Sequence, residues 1–311
     1  MKPHHARHAH AIQEILACIQ HCALSVREIL QSDTSSYLES TNASGDTQLA
    51  VDVRADRLFE QELLKLACVQ GVCSEEKPEA LYKANPESSA SAMISSPSLS
   101  APQSEQGGIL IAYDPLDGSS LFDSNLSVGS IFGIYEGSFS AASLIVAIYV
   151  VYGPRLELVL AYNELAHYAH NGAQWERRQN LALKPKGKLN APGGTQKHWH
   201  KAHKALIDDL FAQGYRLRYS GGMVPDLHQI LCKGGGLFSY PATSDAPRGK
   251  LRKLFEVFPF ALVYELAGGE AIDGHLRLLD LACESLHDST PCFLGSKEEI
   301  AQVRATYANI S

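Results

Sequence analysis

The sequence predicts a mixed α/β (α+β) protein of stacked helix and sheet layers in two halves. Three patterns carry this reading. Apolar residues recur at helical spacing near the start of the chain. Apolar and β-branched runs, joined by short Gly- and Pro-containing connections, fill the middle. Helix and strand patterns then alternate through the last third. With 311 residues, 45% hydrophobic and 20% charged, the chain is long enough to bury a large core.

Taken in order, a first helix is expected from Ala9 to Gln31, where Ile12, Ile15, Leu16, Ile19, Ala23, Val26, Ile29 and Leu30 repeat at helical intervals. The polar stretch Ser32 to Asp46 reads as a loop or arm. A second helix is expected from Val53 to Leu66, with Leu58, Phe59, Leu63 and Leu64 inward. Gly71-Val72-Cys73 reads as a strand end. Pro86 to Gln106 is rich in Ser, Ala and Pro, lacks periodicity, and reads as an inserted surface loop. Strands follow at Ile109 to Tyr113, Ser130 to Tyr135, Leu144 to Tyr152 and Leu156 to Tyr162. Their short connections predict a mixed or antiparallel sheet. The charged stretch Trp175 to Lys188 crosses to the second half, so residues 1–178 and 179–311 are expected to form the two halves. There the sequence predicts a helix from His200 to Gln213, a strand from Tyr215 to Tyr219 and a helix from Pro225 to Lys233. A strand from Gly236 to Tyr240 and a helix from Leu251 to Leu266 come next, the latter closed by Gly268-Gly269 as a glycine cap. A last helix spans Lys297 to Tyr307, and no internal repeat is visible.

The bulk properties exclude several classes. The net charge is -7 and no basic stripe interleaves with aromatics, so no nucleic-acid partner is expected. No run of 18 or more apolar residues occurs, and the N-terminal segment lacks the apolar stretch of a secretory signal, so no membrane partner is expected. The seven cysteines are odd in number and contain no C-x-x-C. They read as reduced thiols in a cytoplasmic protein rather than as a disulfide framework or a cysteine zinc motif. The histidines at 4, 5, 8 and 10 read as a solvated helix start.

The segment Tyr113-Asp114-Pro115-Leu116-Asp117-Gly118-Ser119-Ser120 follows a buried strand. Pro115 fixes φ, and the turn can set Asp114 and Asp117 on one side of the strand end. Hard divalent cations such as Mg²⁺ take oxygen ligands, and the Leu116 carbonyl can join the carboxylates. Gly118, Ser119 and Ser120 offer backbone N–H groups for an anion nest. D-P-x-D-G is equally good turn chemistry, so residue types alone leave metal site and surface turn evenly matched. Other acids bear on the choice: adjacent Glu75 and Glu76, Asp46 and Asp52 near a helix start, and Glu256 within an apolar helix. Asp52 also suits an N-cap, and Glu75-Glu76 alone a solvated loop. Arg216, Arg218, Tyr219, Tyr240, Arg248, Lys250, Arg252 and Lys253 supply phosphate-binding chemistry in the second half, although a charge run at 248–253 is also a common solvated face.

At this point the chain resembles class I fructose-1,6-bisphosphatase, within the lithium-sensitive, inositol-monophosphatase-like phosphatase superfamily. The resemblance rests on Gly45-Asp46 with Val51-Asp52-Val53, Ser74-Glu75-Glu76, Tyr113 to Ser120 and Ser127 to Tyr135. It continues through Tyr152-Gly153, Leu158 to Ala161, Arg218-Tyr219, Gly222-Met223-Val224 and Tyr240-Pro241-Ala242. Gly249-Lys250-Leu251-Arg252, Glu256 and Gly268-Gly269 complete it.

The resemblance implies a layered α-β-α-β-α sandwich and Mg²⁺-dependent removal of the 1-phosphate of fructose 1,6-bisphosphate, in gluconeogenesis. It implies two or more Mg²⁺ per site, replaceable by Mn²⁺ or Zn²⁺, and a homotetramer or homodimer. Glu75, Asp114, Asp117, Glu256 and the Leu116 carbonyl would be metal ligands. Asp52 and Glu76 would orient and deprotonate the attacking water. Asp117, Gly118, Ser119 and Ser120 would hold the phosphate that leaves. Asn190, Tyr219, Tyr240 and Lys250, with Met223 and Arg252 beside them, would hold the sugar and second phosphate. Arg218 resembles an arginine that reaches a neighbouring subunit.

The chain also departs from that family. Ala191-Pro192-Gly193-Gly194 follows Asn190 where members carry a Tyr, which puts one contact to the second phosphate in question. The vertebrate-type AMP site has a Lys-Tyr pair where Gly108-Ile109 stands and an Arg where Glu136 stands. A sedoheptulose-1,7-bisphosphatase, or a dual-specificity enzyme, is the alternative of identical chemistry. An inositol monophosphatase would leave Arg218, Lys250 and Arg252 unused, and a phosphosugar sensor would not need the acidic cluster.

Overall fold

The computed structural model describes residues 8–32, 37–41, 47–84, 93–100 and 108–308. Asp46, His4, His5 and most of the 86–106 segment lie outside the described residues. Six helices are described: α1 (Ala9–Ser32), α2 (Ala50–Lys65), α3 (Lys201–Ala212), α4 (Met223–Cys232), α5 (Phe258–Leu266) and α6 (Lys297–Tyr307). A hairpin pairs β1 (Tyr37–Thr41) with β2 (Thr47–Leu49).

The large sheet contains β3 (Val69–Ser74), β4 (Ala80–Lys83), β5 (Met93–Ser96), β6 (Ile109–Asp117), β7 (Val128–Glu136), β8 (Leu144–Tyr152), β9 (Leu156–Ala161), β10 (Leu165–His170) and β11 (Trp175–Arg177). Its spatial order is β11-β10-β9-β8-β7-β6-β3-β4-β5. Every neighbouring pair is antiparallel except β3 and β6, which run parallel. In the second half come β12 (Leu189–Pro192), β13 (Arg216–Leu217), β14 (Gly236–Tyr240), β15 (Leu251–Arg252), β16 (Glu270–Ile272), β17 (Ser289–Thr290) and β18 (Cys292–Gly295). The smaller sheet orders them β13-β12-β14-β18-β16, while β15 pairs with β17.

The layering follows from the two-residue period of the strands. Ile109, Ile111 and Tyr113 of β6, with Phe132 and Ile134 of β7 and Val146, Ile148 and Val150 of β8, join the core under α1 and α2. The alternate residues Leu110, Ala112, Ile131, Tyr135, Ala147 and Tyr149 face the other way. They meet Leu227 and Ile230 of α4, Phe258 and Ala261 of α5, and Ala191, Phe238 and Leu294 of the smaller sheet. The far face of that sheet, through Leu237, Ile272 and Phe293, packs on Leu206 of α3 and Val303 of α6. The order is therefore α-β-α-β-α, as expected. Strands buried on both faces read as continuous apolar runs, which is why β6 to β9 were visible in the sequence.

Several expectations change. The Ser32 to Asp46 stretch, expected to be a loop, carries strand β1. The 86–106 stretch, expected as a structureless loop, contributes edge strand β5, paired to β4 with Met93 and Ile94 exposed. Such a strand has no buried face and so leaves no period. The strand expected from Tyr215 to Tyr219 shortens to Arg216–Leu217. The helix expected from Leu251 starts later: Leu251 and Arg252 are extended, Lys253–Val257 form a π turn, and the α-helix begins at Phe258. Pro259 explains that start, since it lacks an N–H and is tolerated only in a first turn.

Candidate active site

Three carboxylates converge at the parallel pair in the large sheet. Ser74 of β3 lies opposite Tyr113 of β6, and the N–H of Glu75 donates to the Tyr113 carbonyl at 3.0 Å. Glu75 and Asp114 thus leave adjacent strand ends together. Glu256 reaches them from the π turn between β15 and α5, its Oε2 accepting from the Arg252 N–H at 2.6 Å. One oxygen from each of Glu75, Asp114 and Glu256 lies within 4.8 Å of the others.

Between Asp114 and Asp117 the register of β6 on β7 slips by one residue. This bulge re-aims the acids at the strand end. It is held by the Leu116 N–H donating to Asp114 Oδ1 at 2.9 Å and the Ser130 hydroxyl donating to the Pro115 carbonyl at 2.7 Å. Asp117 accepts the N–H groups of Met223 at 3.0 Å and Val224 at 2.6 Å, at the start of α4. Gly118 follows with φ 74°, a left-handed conformation natural to glycine. A Cβ on Gly118 would sit 3.1 Å from Gly222 Cα, so the two loops meet closely. Behind this front, the Tyr113 hydroxyl donates to Asp56 Oδ1 at 2.8 Å, and Lys77 pairs with Asp56 at 3.1 Å.

Gathering these acids has an electrostatic cost. Desolvation, then Glu76 and Asp117 nearby, push Glu75 up to about 8, against the opposing pull of Arg252. Asp114 and Glu256 rise well above the usual carboxylate range through burial and then through Glu75. Burial lifts Asp117 to about 6, with the Val224 and Met223 N–H groups pulling the other way. Burial, then Glu76, lift Asp52 to about 7, opposed by the Leu49 N–H, which donates to its Oδ2 at 3.1 Å. Buried like charges of this kind call for a compensating cation. The oxygen donors of Glu75, Asp114 and Glu256 fit a hard divalent ion.

The cleft above them has a volume of about 370 Å³. Asp52, Glu76, Gly118, Ser119 and Ser120 line it together with Tyr219, Met223, Tyr240 and Lys250. Three predicted residues are not on its wall. Asn190 is wholly buried in β12, and its amide nitrogen and oxygen have no partner among the described residues. Arg218 is exposed, with Nη1 donating to the Leu217 carbonyl at 2.7 Å. Arg252 lies behind Glu75, with Nη1 3.3 Å from the His287 carbonyl. Lys253 turns away, to the Ala282 carbonyl at 2.8 Å.

Gly193, in the stretch that departs from the family after Asn190, lies against two cleft tyrosines. A Cβ on Gly193 would fall 2.5 Å from Tyr240 Cδ2 and 3.1 Å from Tyr219 Cε2. The two tyrosines occupy the space that a side chain at 193 would need. Sequence reasoning missed Asp226, which accepts from the N–H of Ser220 at 2.8 Å and so fixes the loop carrying Tyr219. The signal available was an acid in the first turn of α4.

Comparison with known proteins agrees with this geometry. Models of the fructose-1-6-bisphosphatase N-terminal and C-terminal domains match residues 2–170 and 183–308. A Helicobacter hepaticus protein named fructose-1,6-bisphosphatase class 1 is 57% identical over 296 residues, covering 95% of this chain and 99% of that one. A Leishmania major fructose-1,6-bisphosphatase structure superposes with TM-score 0.84 at 27% identity, over 96% of this chain and 94% of that one. A Toxoplasma gondii structure named as a candidate sedoheptulose-1,7 bisphosphatase gives 0.82 at 30% identity, over 97% and 95%. With both domain models matched and a relative aligned over nearly its full length, the chain belongs to the class 1 fructose-1,6-bisphosphatase family.

Proposed function

We propose that the chain hydrolyses the 1-phosphate of D-fructose 1,6-bisphosphate, giving fructose 6-phosphate and phosphate, with Mg²⁺ as its physiological cation. The observation that carries this reading is the convergence of Glu75, Asp114 and Glu256 beside a cleft that also holds Lys250 and two tyrosines. When bound, Mg²⁺ or a substitute such as Mn²⁺ neutralises the phosphoryl oxygens and lowers the pKa of water.

Glu75, Asp114, Glu256, Asp117 and the Leu116 carbonyl are its ligands in this reading. Asp117 keeps lone pairs for that role beyond the two N–H bonds it accepts. The chain's own groups do the rest. Gly118, Ser119 and Ser120 line the cleft, and in this reading their backbone N–H groups cradle the phosphate to be removed. Asp52 Oδ1 is buried without a hydrogen-bond partner among the described residues, which suits it to orient a water. Glu76 stands beside it to take the proton as water attacks in line with the leaving sugar oxygen. Lys250, Tyr219 and Tyr240 hold the distal phosphate and sugar, with Met223 against the ring. Asn190 and Arg252 support that side from behind. Exposed Arg218 sits beside Leu217, itself 57% exposed, which fits a subunit contact in a homotetramer or homodimer.

Phosphate release should be compared for fructose 1,6-bisphosphate, sedoheptulose 1,7-bisphosphate and an inositol monophosphate, with and without Mg²⁺. Mg²⁺-dependent preference for the fructose substrate is expected. Faster turnover of the sedoheptulose substrate favours the alternative, which the Toxoplasma gondii likeness keeps in view. Release from the inositol substrate alone overturns both.

A further inference from the structure

A second group of metal-ligating side chains lies outside the cleft. Glu157 comes from β9, His167 from the adjacent β10, and His228 and Cys232 from successive turns of α4. His167 Nε2 lies 2.9 Å from Glu157 Oε2, and His228 Nε2 lies 3.0 Å from that same oxygen. Cys232 Sγ is 3.3 Å from His228 Nε2. Two imidazoles thus gather around one carboxylate oxygen, with one ligand atom from each of Glu157, His167 and His228 within 4.8 Å of the others, while the Cys232 thiol lies beside His228 alone. Glu157 and His167 are buried, at 5% and 8% exposure. We propose that Glu157, His167 and His228 bind a transition-metal ion of the zinc class, separate from the oxygen-ligated cation of the cleft.

The geometry carries this in three ways. In a tetrahedral zinc site, Zn–N and Zn–O lengths near 2.0 Å put neighbouring ligands about 3.3 Å apart. The separations of 2.9 and 3.0 Å between the two imidazoles and Glu157 Oε2 need only a few tenths of an ångström of expansion. The donor set of two imidazole nitrogens and one carboxylate oxygen suits zinc, with a fourth position left for water, and does not suit Mg²⁺. The outer layer is also in place: the Tyr149 hydroxyl is 3.0 Å from His228 Nδ1, where it can accept that N–H and leave Nε2 as the ligand. The opposing feature is Arg155, whose Nε donates to Glu157 Oε1 at 2.6 Å. Its side chain is 70% exposed and holds the other oxygen, leaving Oε2 for the ion.

No zinc motif is legible in the sequence because the ligands come from three elements, β9, β10 and α4. The ion would tie the large sheet to α4, the helix whose first N–H groups hold Asp117.

The test uses the full chain, stripped with chelator and kept in excess Mg²⁺ to occupy the cleft. Zn²⁺ titration is expected to show one tight equivalent per chain. X-ray absorption of that equivalent should show a shell of nitrogen and oxygen with imidazole scattering, and Co²⁺ should give tetrahedral absorption. His167→Gln and His228→Gln should each weaken binding at least tenfold, and Cys232→Ser should leave it unchanged. Zn²⁺ should raise the melting temperature of the native chain and not of His167→Gln. Absence of a tight equivalent, an oxygen-only shell, or an equivalent that persists in both histidine variants overturns the proposal. The spectra of the native chain decide the matter even if a variant fails to fold.

Discussion

The backbone N–H of Val224 donates to Asp117 Oδ2 at 2.6 Å, joining a strand end of the first half to a helix start of the second. Asp117 accepts a second N–H, from Met223, on its other oxygen. The acid therefore has two tasks, at the proposed metal and as the anion at the mouth of α4. Asp117→Ala is expected to lower kcat/KM by a factor of about 10² or more, as for loss of a catalytic group. It should also destabilise the fold by roughly 1–3 kcal/mol, because two buried donors lose their acceptor. Phosphate-release assays and thermal melting of the same sample check both. Full activity with a lowered melting temperature would confine Asp117 to the helix start.

Glu76→Gln separates chemistry from structure more cleanly. Glu76 is half-buried on the cleft wall, and the substitution preserves its volume while removing its capacity as a base. The expected loss is in kcat, by about 10²–10⁴, with melting temperature unchanged. An unaltered kcat would leave Asp52 as the base.

The contrast between these two acids shows what was legible in the sequence. The acids of the segment 113–120 and their partners stood out as carboxylates at strand ends, residue types left a metal site and a turn evenly matched, and the family resemblance assigned the cleft roles. The supports of these acids did not stand out. The bulge at Pro115 and Leu116, the grip of α4 on Asp117, and the loop bonds made by Asp226 are all contacts between distant segments. The fold divides in the same way. Strands β6 to β9, buried on both faces, announce themselves, whereas β5 and β13 have little or no buried face to write a pattern.

Lys250 is the cleft's direct cation on the sugar side. Lys250→Ala is expected to raise KM for fructose 1,6-bisphosphate about tenfold or more, the usual effect of losing one charge-assisted hydrogen bond. kcat should change less, since the contact is made to a phosphate that does not react. Steady-state kinetics with the bisphosphate test this, and a pure kcat effect would place Lys250 at the reacting group.

The clustered acids also predict how the metal-free protein responds to pH. Glu75 binds its proton up to about 8 in the fold, against 4.5 as its ordinary value, and Asp52 up to about 7, against 3.8. Between those limits the folded chain holds more protons than the unfolded chain, so stability falls as pH rises. Burial lowers His203 from 6.5 to about 4, a shift of opposite sign that is complete above pH 6.5. In chelator, the melting temperature should therefore fall from pH 6.5 to pH 8. Excess Mg²⁺ should flatten the fall, because cation binding replaces proton binding. Equal slopes with and without Mg²⁺ would show that these carboxylates do not hold the ion.

Glu136, at the end of β7, sets the expectation for nucleotide control. Its Oε1 lies 3.0 Å from His8 Nε2, at the start of α1. Family members with a vertebrate-type AMP site carry an arginine where Glu136 stands, so a nucleotide phosphate here would meet a carboxylate already engaged by a histidine. At a few ångströms, like charges in a partly buried setting repel by several kcal/mol before screening. Binding would also have to break the His8 contact that ties α1 to the large sheet. AMP at micromolar concentration is therefore expected to leave the rate of phosphate release unchanged. Titration of AMP into the Mg²⁺-loaded enzyme at subsaturating bisphosphate is the measurement. Inhibition in that range, strengthened by Glu136→Ala, would show that the site works despite its charge.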